Sequence, residues 1–263
     1  MERDEPHIGL CLFANFSRRK CKVLRIGTRI QEMYGYKLEN DGPQPEETRT
    51  VLGWSQREKD LGVQVEGDLE FKEEVCIRAK KGNAIMGIIR RTFTYLNEDT
   101  FCLLFKSLVR PHLEYASSVW SPYLKQDIAR LEAVQRRATK QVPGLRNLPY
   151  PERLRHLKLP TLRFRRRRGD MIEVFKILHG MYDINHEDFF ERNVDASTRG
   201  HSLKLKKIRS NTRRRLTSFA RRVITDWNAL PDAVVAATSL ISFKNRLDKY
   251  WQHHPQLYDW EAE

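Results

Sequence analysis

The chain of 263 residues is 40% hydrophobic and 10% aromatic, enough apolar material for one large or two small cores, which excludes disorder throughout. Its 48 Lys and Arg against 34 Asp and Glu leave a net charge of +14, and no apolar run approaches the about 18 residues that a membrane-spanning helix needs. The acidic start, residues 1–6, precedes the apolar piece 8–14, the wrong order for a secretory signal, so an intracellular protein with no membrane partner is expected. Cys11, Cys21, Cys76 and Cys102 are scattered without a CxxC pair or zinc-finger spacing, so free or buried thiols are expected and no metal or other cofactor.

In chain order, residues 1–19 show no periodicity and receive no role. Residues 20–27 alternate imperfectly in the strand manner, with Cys21 and Val23 opposed to Lys22, Leu24 and Ile26. Residues 35–47, with Asn40-Asp41-Gly42-Pro43, read as a loop, and residues 50–54 and 61–65 as two short strands. Residues 71–91 read as a helix, with Phe71, Val75, Ala79, Met86 and Ile89 at helical spacing. Gly82 and Gly87 within it cost ~1 kcal/mol each relative to Ala, and are expected to permit close packing.

Residues 101–144 organise the chain. Phe101, Leu104, Phe105 and Leu108 form an apolar stripe behind a cap candidate, Asn97. Pro111 predicts a kink or break just before it, because it lacks an N–H and clashes with the carbonyl four residues back. Tyr115, Val119 and Trp120 continue the apolar path to Ser121-Pro122. Between Asp127 and Val142, residues Ile128, Leu131, Val134, Ala138 and Val142 share one side, with Arg130, Arg136, Arg137 and Lys140 opposite. Pro143-Gly144 stops this helix.

Residues 150–159 predict a short helix. Thr161 caps the next, residues 162–179, whose inner face carries Phe164, Met171, Phe175 and Leu178. Arg167 falls on that apolar side, so it either reaches out along its stem or finds a carboxylate. Arg168-Gly169-Asp170 spells an adhesion tripeptide, read as a compositional accident inside a helix. Residues 199–215 read as loop or strand. Phe219, Val223, Trp227 and Leu230 mark another helix, and Ser239 precedes a last one with Phe243, Leu247, Tyr250 and Trp251. The tail beyond His254 is expected to fray.

The positive charge is concentrated. Residues 130–168 hold 13 basic and 2 acidic side chains and residues 203–222 hold 9 basic and none acidic, so the remainder is net acidic. Two such patches suggest a polyanionic partner, with a solvated face kept for solubility as the bland alternative. The candidate contacts are Arg130, Arg136, Arg137 and Lys140, then Arg163, Arg165 and Arg166, then Lys204, Lys206, Lys207, Arg213, Arg214 and Arg215.

Taken together, KCKVLRIG, KDLGVQV, LFKSLVRPHLEYASSVWSPY, LEAVQRRATKQVPGLRNLPYPERL, RGDMIEVFKILHG, RGHSL, DWNALP and FKNRLDKYW resemble, in order, the C-terminal part of reverse transcriptases of non-LTR, LINE-type (jockey-like) retrotransposons. The likeness spans residues 20–251 and rests on the combination of motifs. It implies a mainly α fold, a helical thumb-like bundle with a small β appendage near the N-terminus. The implied division is an unassigned leader at 1–19, a β-rich palm-end remnant at 20–66, a thumb-like unit at 67–182, a basic segment with helices at 183–252, and a tail at 253–263. By the same resemblance Leu61, Gly62 and Val63 occupy the primer-grip strand.

Such polymerases hold two divalent ions on palm aspartates. No YADD or substitute stands before Lys20, and Asp4-Glu5 is not set in a hydrophobic hairpin. GxSxG, P-loop and GxGxxG motifs are missing, and His186-Glu187 lacks a second His four residues on. The expectation is therefore a non-catalytic remnant that binds RNA or RNA–DNA backbone without sequence preference. The alternative, of a different class, is an orphan or domesticated helical protein-interaction module.

Overall fold

A computed structural model describes residues 22–24, 26–27, 37–38, 50–51, 53–193 and 200–262. The protein is mainly helical, with small two-stranded sheets toward its N-terminus, and divides into two units, Met1–Asp68 and Leu69–Glu263. The leader at 1–19, the loop at 40–43, and Cys11 and Cys21 lie outside the described residues.

In the first unit β1 (Lys22–Leu24) runs parallel to β4 (Gly53–Ser55), and β2 (Lys37–Leu38) pairs antiparallel with β3 (Thr50–Val51). The third pair, β5 (Arg57–Asp60) with β6 (Val63–Glu66), is a hairpin in which Asp60 faces Val63. Its two turn residues, Leu61 and Gly62, have φ of 42° and 86°, the left-handed conformation that matches the twist of a two-residue hairpin. This corrects the strand expected over 61–65, which begins only at Val63. The partner strand, REKD, went unseen because it carries no apolar alternation.

The second unit begins with α1 (Lys72–Thr92), which buries Val75, Ala79, Met86 and Ile89 as the spacing predicts. Gly82 sets how closely α1 approaches its neighbours. A Cβ there would stand 2.8 Å from Leu113 Cδ2 and 3.2 Å from Val134 Cγ1, whereas one at Gly87 would meet nothing within 4 Å. Close packing thus belongs to Gly82 and not to Gly87.

Helix α2 (Glu98–Leu104) starts where Asn97 Oδ1 accepts the Thr100 N–H at 2.8 Å. It does not break ahead of Pro111. It widens into a π turn over Phe105–Val109, closed by the Arg110 N–H on the Phe105 carbonyl, and continues as α3 (Arg110–Glu114). The wider turn accommodates a proline that would otherwise crowd the preceding turn. It also resets the face. Residues four apart drift by about 40° per step on a regular helix, yet Phe101, Phe105, Val109 and Leu113 are all buried, while Leu108 of the expected stripe is exposed. The chain then reverses at Ala116, φ 52°, leaving Tyr115 and Val119 exposed, and Trp120 at the end of α4 (Ser117–Trp120) buried.

Helix α5 (Lys125–Thr139) buries Ile128, Leu131, Val134 and Ala138 as expected, but also Glu132, Gln135 and Thr139, because α6 (Tyr150–His156) and α7 (Leu162–Leu178) cover a second side. The buried Glu132 carboxylate accepts the Tyr150 hydroxyl at 2.9 Å and the Arg163 backbone N–H, near the start of α7, at 2.8 Å. Burial pushes the Glu132 carboxyl up, against the pull of Arg166 and these hydrogen bonds. One side chain therefore ties three helices together.

Thr161 caps α7 by accepting the Phe164 N–H at 3.0 Å. The far side of α7 forms a second core with α9 (Phe219–Asn228), α10 (Asp232–Val235) and α11 (Leu240–Tyr250), around Phe175, Trp227 and Phe243. Between α7 and α9 lies α8 (Arg213–Thr217). The tail does not fray: the Thr161 hydroxyl donates to the Gln256 carbonyl at 2.7 Å, and Arg163 donates to the Trp260 carbonyl at 2.7 Å. No described helix is long and apolar enough to cross a membrane.

Candidate nucleic-acid interface

The fold separates the candidate cations into three groups with different surroundings. The first lies where α1 and α5 run side by side. Cys76, Ala79, Lys80 and Asn83 of α1 and Arg130, Ala133 and Arg137 of α5 line an open groove with a small-residue floor and a basic rim. Arg130 Nη1 donates to Asp127 Oδ1 at 3.2 Å and lies 3.1 Å from Cys76 Sγ, and Arg137 Nη2 donates to Asn83 Oδ1 at 3.0 Å. Burial pushes the Asp127 carboxyl up, and the Arg130 guanidinium counters that shift. Lys140, just past the end of α5, is exposed. Arg137 and Lys140 also complement the negative end of the α5 dipole, a structural benefit of about 0.3–1 kcal/mol that needs no ligand.

Arg136 does not belong to this rim. Its guanidinium packs 5.3 Å from the Tyr150 ring centroid and 6.0 Å from that of Trp260, and its Nε is buried. The helical wheel placed it beside Arg137, but the helix that follows α5 and the C-terminal tail fold over it.

The second group, residues 163–168, is a set of internal clasps. Arg163 holds the tail through the Trp260 and Ala262 carbonyls at 2.7 and 3.1 Å. Arg165 takes Glu114 of α3 in a two-point ion pair, Nη2 to Oε2 at 2.8 Å. Arg167 finds the carboxylate its position demands, Asp226 of α9, with both bonds at 2.5 Å. Arg168 clasps Asp248 of α11 at 2.5 and 2.8 Å. Arg166 is 3% exposed and sits among Glu132, Glu114 and Asp170, and burial holds its guanidinium below the usual arginine range. A buried guanidinium cannot meet an external phosphate, so Arg166 leaves the candidate site, and Arg163 and Arg165 are committed to holding helices and tail together.

The third group stands on the surface. Lys206 pairs with Glu191, Lys207 is exposed, and Lys204 is half-buried. In α8, Arg213 and Arg215 are exposed and Arg214 is half-buried, with the Arg213 guanidinium 6.0 Å from the Tyr123 ring centroid. In the first unit, Leu61 and Gly62 form the hairpin tip, with Leu61 78% exposed, while Val63 is buried at the start of β6.

Lys80 and Asn83 were not among the sequence candidates. The KKGN run at residues 80–83 carried a signal, but only the α1–α5 packing shows which of its residues face Arg130 and Arg137. Among the described residues, no group of three His, Cys, Asp or Glu is placed to hold a metal ion. No protein-family model, curated protein or solved structure matches the chain.

Proposed function

We propose that this chain is a non-catalytic, intracellular nucleic-acid-binding protein descended from a non-LTR retrotransposon reverse transcriptase, its helical unit corresponding to the thumb. The α1–α5 groove tracks a sugar–phosphate backbone, and the basic segment of Lys204, Lys206, Lys207 and Arg213 to Arg215 supplies a second contact. The observation that carries this reading is the contrast between two basic clusters of similar composition. Residues 163–168 are turned inward onto carboxylates and carbonyls, whereas Lys80, Arg130 and Arg137 stand around an open groove and Lys140 is exposed just past the end of α5. Phosphate contacts of this kind position a duplex without reading its sequence.

Binding of the purified chain to an RNA–DNA duplex, titrated with salt beside polyglutamate of equal charge, tests this reading. Preference for the duplex supports it, and equal affinity for both polymers contradicts it. In a primer-extension assay with Mg²⁺ or Mn²⁺ the expected result is no incorporation above a no-protein blank. A second reading, a helical protein-interaction module, draws on Leu103 and Leu108, which present 68% and 46% of their surface to solvent on the outer side of α2 and its π turn.

A further inference from the structure

A cleft on the second unit has a composition that backbone tracking does not use. Its walls come from Leu69 and Phe71, Val119 of α4, Tyr123, Ile177 of α7, and Phe189 and Phe219, and it encloses about 350 Å³. That lies within the range of about 300–1,000 Å³ typical of ligand pockets. The surface is mainly apolar, with hydroxyls of Ser118, Ser121, Thr217 and Ser218 interspersed. Phe189 presents 42% of its surface, and Val119 presents 54%. The Phe189 ring is braced from behind, 6.3 Å from Phe190, which in turn lies 6.0 Å from Phe219.

Two carboxylates and one guanidinium line this cleft, and both carboxylates already have cationic partners. Its carboxylate Glu173 is already engaged by Lys176 at 2.8 Å and by the Tyr182 hydroxyl at 2.6 Å, and Glu70 is paired with Lys72. Arg214 lines the cleft, Arg213 lies against Tyr123, and no acidic residue occurs between residues 203 and 222. An exposed aromatic face beside the guanidinium groups of Arg213 and Arg214 suits a flat π system that carries a phosphate.

We propose that this cleft takes an unstacked base of single-stranded RNA or DNA, stacked on Phe189 beside Tyr123, with its flanking phosphates on Arg213 and Arg214. The assignment rests on the nucleic-acid reading above and deepens it: the α1–α5 groove holds duplex backbone, and this cleft holds a base of an adjoining single strand. Base stacking tolerates every sequence, since each base has a π face.

The test uses the full chain and three fluorescent probes of equal phosphate number: a uridine-rich single strand, an abasic single strand and a duplex. The wild type is expected to bind the base-bearing strand about tenfold more tightly than the abasic one, the scale of a single base–aromatic stack. F189A and the more conservative F189L, which keeps apolar cover over Phe190 without the ring, are expected to lose that preference while duplex affinity and melting temperature hold. Equal binding of the abasic and base-bearing strands by the wild type, or an intact preference in F189L, overturns the base cleft and leaves the duplex reading standing. Failure of all three probes to bind overturns both.

Discussion

Arg222 and Asp170 face each other across α9 and α7 through two bonds of 2.9 Å each, Nε to Oδ2 and Nη2 to Oδ1. Arg222 also donates to the Ser118 carbonyl at 2.7 Å and the Thr217 carbonyl at 3.3 Å. Asp170 is 7% exposed, and its carboxyl is pushed up by burial against the pull of Arg222. A buried ion pair of this kind fixes geometry more than it adds stability. It also disposes of the adhesion tripeptide, since Asp170 is buried on Arg222 and Arg168 is bound to Asp248.

Breaking that pair on one side exposes the imbalance. R222A is expected to cost about 3–5 kcal/mol, because Asp170 stays buried without its partner. The combined D170L/R222M replacement is expected to be markedly less destabilising than R222A alone. Urea midpoints of the single and double variants decide it, and additive losses would show that the two residues do not act as a pair.

Two glycines of α1 provide an internal control. Ala is favoured over Gly in a helix by roughly 0.5–1 kcal/mol. G87A, with nothing within 4 Å of the new Cβ, is expected to gain about that amount. G82A drives its Cβ to 2.8 Å from Leu113 and 3.2 Å from Val134, and is expected to lower the melting temperature. Melting both variants beside the parent checks the α1–α5 distance on which the groove depends.

The C-terminal core carries an acid-sensitive group. His201 is 3% exposed, its Nε2–H donates to the Trp227 carbonyl at 3.0 Å, and burial holds its pKa below the ordinary 6.5, opposed by that hydrogen bond and by Asp232 and assisted by Lys204. Below pH 6.5 the unfolded chain takes up a proton that the folded one resists, so stability falls as the pH drops from there toward the folded-state value. H201Q is expected to reduce the loss of melting temperature between pH 7 and pH 5. An unchanged pH profile would mean that other groups set the acid limb.

What the sequence disclosed followed from local pattern. The inner stripe of α5 and the caps at Asn97 and Thr161 were legible because neighbours within four residues determine them. The π turn before Pro111 was not, since a proline announces trouble without saying how the helix absorbs it. The largest misreading concerned residues 163–168. A run of arginines looks the same in sequence whether it faces water or carboxylates, and Glu114, Asp226 and Asp248 lie 51 to 80 positions away. Arg136 misled for the same reason, its cover arriving from Tyr150 and Trp260. Lys80 comes to stand beside Arg130 and Arg137 only through the packing of α1 on α5, which no local pattern encodes.

The most direct test of the account replaces Lys80, Arg130, Arg137 and Lys140 with Gln, leaving the packed Arg136 in place. Each cation removed from a phosphate should make the slope of log K against log salt shallower by about 0.9 on duplex B-DNA, with affinity falling alike for unrelated sequences. The expected outcome is a clearly shallower slope with the helical signal kept, the melting temperature falling only by what the lost Asp127–Arg130 pair contributes. A parental slope in a folded variant would contradict the account, and would make these four cations ordinary solvated charge.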